Sequence, residues 1–168
     1  VANILTLFRC LIALIVALIF NSNNLSYIWI LIIIAAISDY LDGWFARISQ
    51  TKSTWGSRVD PLADKLLVIG PLLWFVKTDI FPLWSIWILL ARELVIANWR
   101  SNIKDGAPAS KLAKYKTILQ FISILFLLAP INLFGQTLTS YLNVIGTYLF
   151  WMSFFLALLS GISYITKK

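Results

Sequence analysis

The chain has 168 residues, 60% hydrophobic and 12% charged, with a formal net charge of +7. Soluble domains average about 45–50% apolar and about 25% charged residues, so this composition excludes an ordinary soluble globule and fits one membrane domain over residues 1–168. The absence of histidine and the single cysteine, Cys10, exclude imidazole bases, His-ligated zinc and an internal disulfide.

Six apolar segments follow in order, at 3–20, 25–46, 60–76, 80–100, 111–131 and 141–165. Each reaches about the 17–25 residues of a spanning helix, several only by including charges at one end. The first contains Arg9 and no clear small-residue cleavage site, so it reads as a span and not as a secretory signal. The second closes on Asp39 and Asp42, and the third opens on Asp60 and Asp64 with Pro71 as an expected kink. The fourth starts near Pro82 and carries Arg92, Glu93 and Arg100; the fifth opens on Lys111, Lys114 and Lys116. The sixth is long and free of charge throughout. The pattern predicts an all-α integral membrane protein, a six-transmembrane-helix bundle.

Cations alternate along the connections. Arg47, Lys52 and Arg58 lie between segments two and three, Arg100, Lys104 and Lys111 between four and five, and Lys167 and Lys168 at the end. The turn 21–24 and the stretch 132–140 carry none, and the turn near 77–82 has Lys77 alone. The positive-inside rule then places both termini and both charged loops in the cytoplasm. The excess of cations reads as orientation and attraction to anionic lipid, with no nucleic-acid partner. Eight Trp and six Tyr suit two membrane interfaces.

Four of the seven acidic residues stand between positions 39 and 64. Asp39 and Asp42 are three apart at one helix end, and Asp60 and Asp64 are four apart at the next helix start, so each pair shares a face. If the two ends meet, four carboxylates converge, and a divalent cation relieves their repulsion. Oxygen ligands without His or Cys point to magnesium, manganese or calcium. Gly43 and Ala46 fall on the face of Asp39 and Asp42 and leave room for a flat ligand, while Arg47 suits a phosphate. Gly56 is expected in the connection. The plainer reading is that Asp60 caps a helix and the other carboxylates are solvated.

The spacing Asp39-x2-Asp42-Gly43-x2-Ala46-Arg47-x8-Gly56-x3-Asp60-x3-Asp64 resembles the full signature of the CDP-alcohol phosphatidyltransferases, at all eight of its fixed positions. "NILTLFR" (3–9), "ARELVIANWR" (91–100) and "KYKTILQ" (114–120) are similar to motifs of bacterial phosphatidylglycerophosphate synthases. Many of those relatives have a proline shortly after the position of Arg9, where this chain reads "CLIALI". The resemblance implies that Asp39, Asp42 and Asp60 bind a first metal, that Asp64 completes a second site and serves as catalytic base, and that the ions are Mg2+ or Mn2+. It implies a CDP pocket of Asp39, Asp42, Gly43, Ala46, Arg47, Gly56 and Asp60. It also implies a homodimer in a bacterial inner membrane that transfers the phosphatidyl group of CDP-diacylglycerol to glycerol 3-phosphate, releasing CMP, with the site facing the cytoplasm.

The acceptor phosphate does not react and needs cations of its own. Arg92 and Arg100 are eight apart, about two turns, and with Arg9 and Lys114 they are the expected acceptor-phosphate site. The plainer reading is that they set topology or bind headgroups. Glu93, next to Arg92, is expected to face elsewhere, orienting another residue or pairing with a cation such as Arg9. Two further readings stand beside this one. The acceptor is inositol phosphate, serine or phosphatidylglycerol, or the chain is a non-catalytic metal-binding membrane protein, which leaves Gly43, Ala46, Arg47 and Gly56 without a purpose.

Overall fold

The computed structural model describes residues 2–20, 25–49, 56–101 and 111–166, without the side chains of 2–7, 9, 17, 39–49, 56–64, 99–101, 111–114 and 162–166. Among the described residues all regular structure is helical: α1 (Ala2–Ile19), α2 (Leu25–Ser49), α3 (Gly56–Lys77), α4 (Leu83–Ser101), α5 (Lys111–Leu127) and α6 (Ile131–Thr166). Each helix corresponds to one apolar segment. The sixth differs most, starting ten residues before the expected position 141. Pro130 explains the early start: it cannot continue α5, but its carbonyl accepts the amides of Leu133 and Phe134 and opens a new helix. Gly135, at φ 74° and ψ 162°, interrupts α6 in a region open almost only to glycine.

The chain forms two compact units, residues 1–74 with 128–137, and residues 75–127 with 138–168. In the first, α1 packs against α2. The residues they bury, Ile12, Ala13 and Val16 on α1 and Ile28, Ile32 and Ala35 on α2, recur at helical spacing. Trp74 stacks on Phe20 at 5.0 Å, and Trp29 meets Phe134 edge-on at 5.3 Å.

In the second unit α3 ends in a left-handed cap. Asp79 takes φ 57°; its amide donates to the Val76 carbonyl and that of Ile80 to the Phe75 carbonyl at 2.9 Å. This is the pairing of a Schellman motif, with Asp in the place glycine usually takes. α4 starts directly after Pro82, as expected from the sequence, and the Ser85 hydroxyl donates to the Pro82 carbonyl at 2.8 Å. An aromatic cluster follows: Phe81 stacks on Phe150 at 3.8 Å, and Trp151 lies edge-on to Phe154 at 5.5 Å.

Lipid is as apolar as leucine, so helices in it are held by close packing and buried hydrogen bonds. α5 and α6 show both. The Ser123 hydroxyl donates to the Gly146 carbonyl at 2.7 Å. A methyl group added at Gly146 would lie 3.2 Å from the Leu127 nitrogen, so any larger residue would push the two helices apart. On α6 the buried Gly146, Phe150, Ser153, Ala157 and Ser160 alternate by fours and threes, a seam of mostly small residues.

The outer faces are as apolar as the inner ones, with Leu18 77% exposed and Trp87 68% exposed. A soluble surface excludes such patches. Among the described residues one stretch, Ile131–Gly161, is by length and composition alone long and apolar enough to cross a bilayer. Beyond Gly135 it spans about 39 Å at ~1.5 Å per residue, against a hydrocarbon core of about 30 Å.

Candidate active site

The aspartate signature falls on two helices of the first unit. Asp39, Asp42, Gly43, Ala46 and Arg47 lie in the C-terminal part of α2, which runs on to Ser49. Gly56, expected in the connection, is instead the first residue of α3, and Asp60 and Asp64 lie about one and two turns inside. Nothing in Gly56-Ser57-Arg58-Val59 stops a helix from extending back to the glycine, and Asp60 is therefore not the first-turn cap of the plainer reading. The side chains of these eight residues lie outside the described residues. So do those of Arg9 on α1, Arg100 on α4 and Lys114 on α5.

Three of the described charged residues, Arg92, Glu93 and Lys116, form a network in the second unit. Arg92 stands on the buried face of α4, in register with Ser85, Leu89 and Ile96. Its Nε donates to the Ala157 carbonyl at 3.1 Å and its Nη2 to the Ser160 hydroxyl at 2.6 Å. Ser160 in turn donates to the same Ala157 carbonyl at 3.0 Å. Gly161 lies beside the arginine stem, where a Cβ would make an ordinary contact of 3.5 Å with Arg92 Cγ. The third guanidinium nitrogen, Nη1, donates to Glu93 Oε1 at 2.7 Å. The Arg92 side chain is 10% exposed.

The same carboxylate oxygen accepts from Lys116 Nζ on α5. Glu93 therefore does not face away from Arg92. Neighbours in sequence diverge by about 100° around a helix, but both side chains are long enough to turn back toward each other, and Lys116 approaches from the next helix. Sequence reasoning gave Lys116 no role in the site. Its signal was present: Lys116, Gln120 and Ser123 recur at helical spacing inside an apolar segment, and all three are buried. A polar row in a greasy helix marks a face with polar neighbours.

The network can hold two cations and one carboxylate fixed between three helices. Its parts suit an anionic ligand. Among the described residues no three acidic, cysteine or histidine side chains are grouped to hold a metal.

Helices with apolar outer faces and a largely buried charged network define a membrane protein with a polar site. Residues 1–159 match the family model for CDP-alcohol phosphatidyltransferase. The CDP-diacylglycerol–glycerol-3-phosphate 3-phosphatidyltransferase of Rickettsia typhi is 32% identical over 168 aligned positions, covering 96% of this chain and 93% of that protein. The protein of the same name from Bacillus subtilis is 32% identical over 142 positions, covering 83% and 72%. A probable phosphatidylglycerophosphate synthase of Mycobacterium tuberculosis is 30% identical over 174 positions, covering 99% and 80%. The chain belongs to the CDP-alcohol phosphatidyltransferase family.

Proposed function

We propose that this enzyme transfers the phosphatidyl group of CDP-diacylglycerol to glycerol 3-phosphate, giving phosphatidylglycerol phosphate and CMP. The observation that carries the reading is identity of about a third, over nearly the full length of both chains, to proteins named for that reaction. The acceptor hydroxyl oxygen forms a bond to the β-phosphorus, the bond from that phosphorus to the CMP oxygen breaks, and CMP leaves. Such a transfer needs positioning and charge neutralisation more than covalent help from the protein.

The donor set fits hard divalent cations. Asp39, Asp42, Asp60 and Asp64 supply carboxylate oxygens from α2 and α3, within one compact unit. They would hold two ions, Mg2+ or Mn2+, which when bound supply neutralising charge to the phosphoryl oxygens. Asp64 takes the proton from the acceptor hydroxyl. Gly43, Ala46, Arg47 and Gly56 line the CDP pocket together with the aspartates. Arg9, Arg92, Arg100 and Lys114 hold the acceptor phosphate. Six spans with both termini cytoplasmic, a homodimer and a bacterial inner membrane complete the proposal, because the lipid donor and the soluble acceptor meet only at a membrane boundary.

The test is CMP release by purified protein in liposomes holding CDP-diacylglycerol and Mg2+, with glycerol 3-phosphate, inositol phosphate, serine and phosphatidylglycerol offered separately. Release with glycerol 3-phosphate alone, abolished in Asp64→Asn, supports the reading. Release with another acceptor refutes the acceptor assignment, and no release with any refutes the activity.

A further inference from the structure

We propose that Glu93 is a positioning residue that sets Arg92 and Lys116 as a cation pair for the phosphate-bearing acceptor, an inference that rests on the acceptor reading above. Three observations carry it. One oxygen, Glu93 Oε1, accepts from both Arg92 Nη1 and Lys116 Nζ, so a single carboxylate holds two like charges of α4 and α5 side by side. Arg92 is tied separately to α6 through the Ala157 carbonyl and the Ser160 hydroxyl. One cation of the pair is therefore anchored to α6, and Glu93 holds the other beside it.

The third observation is burial. The Lys116 side chain is 6% exposed, in a helix that turns Tyr115 and Ile118 outward. An ion network at such a site is often no more stabilising than apolar packing of the same volume. Two cations and a carboxylate set between α4, α5 and α6 are thus poorly explained as a brace. They are well explained as a charged platform whose geometry must be kept until a charged ligand arrives. Glu93 does not touch the reacting atoms in this account. It acts through Arg92 and Lys116.

The experiment uses the full chain in liposomes, with CMP release measured against glycerol 3-phosphate at saturating CDP-diacylglycerol, and the reverse. Glu93→Gln keeps an oxygen acceptor but removes the charge; Glu93→Asp keeps the charge on a shorter arm. For Glu93→Gln we expect KM for glycerol 3-phosphate to rise ~10-fold or more, kcat to change less than ~3-fold and KM for CDP-diacylglycerol less than ~2-fold. Glu93→Asp restores part of the acceptor KM. An acceptor KM within ~2-fold of the parent, or equal losses toward both substrates that track a fall in thermal stability, overturns the proposal. If Glu93→Gln does not fold, Glu93→Asp and Lys116→Gln are read by the same criteria. Failure of the acceptor reading shows earlier and separately, as parent protein that ignores glycerol 3-phosphate, and it removes this inference as well.

Discussion

Two helical glycines make a paired prediction of opposite sign. Gly146 lies where α6 crosses α5, and a Cβ there would sit 2.9 Å from Leu127 Cγ, 3.2 Å from the Leu127 nitrogen and 3.2 Å from Phe126 Cβ. The side-chain carbon can move, but the backbone nitrogen cannot without shifting a helix. Such overpacking costs about 1–3 kcal/mol. A shift would also stretch the 2.7 Å bond from Ser123 to the Gly146 carbonyl, worth ~1 kcal/mol. Against this stands a helix-propensity gain of about 0.5–1 kcal/mol for Gly→Ala. The balance for Gly146→Ala is a loss of about 1–2 kcal/mol. Gly70, within α3, has nothing within 4 Å of its Cβ position, so Gly70→Ala keeps only the gain of about 0.5–1 kcal/mol. At roughly 2–4 °C per kcal/mol for a chain of this size, the two variants should differ by about 3–12 °C in midpoint. Tryptophan fluorescence on heating in detergent reads this. Equal midpoints for the two variants would show that the α5–α6 approach is not as close as described.

Four further outcomes are expected. Gly135→Ala forces a side chain into φ 74° and ψ 162° and should cost about 1–3 kcal/mol, seen in the same melt. Asp79→Gly relieves a left-handed residue in the cap of α3 and should raise stability by about 0.5–1 kcal/mol; no rise would mean that the Asp side chain stabilises the turn. Ser160→Ala removes the acceptor of Arg92 Nη2 and should cost about 1.5–3 kcal/mol by chemical denaturation, the range for a hydrogen bond to a charged group. Chelation with EDTA should stop CMP release and Mg2+ or Mn2+ should restore it, whereas activity that survives chelation would refute the carboxylate metal site.

Much of this protein could be read along the chain. Each apolar segment corresponds to a helix among the described residues, because a long apolar stretch away from water satisfies its backbone by coiling on itself. The spacing from Asp39 to Asp64 resembled the family's signature, and the match of residues 1–159 to the family model bears the family out. Local rules also placed the start of α4 behind Pro82. They failed at Gly56, where the helix reached further back than the first apolar residue, and at residue 131, where Pro130 opened α6 well before the last apolar run.

The network of α4, α5 and α6 was decided in three dimensions. Periodicity reports which residues share a face of one helix; it does not say what stands opposite. Nothing near Glu93 in the chain announces Lys116, 23 residues away, and nothing near Arg92 announces Ser160, 68 residues away. Helix-forming preference is a property of neighbours in sequence and can be read there. The partners of a buried charge are set by which helices pack together, and that depends on side-chain shape along the entire interface, down to the missing Cβ of Gly146.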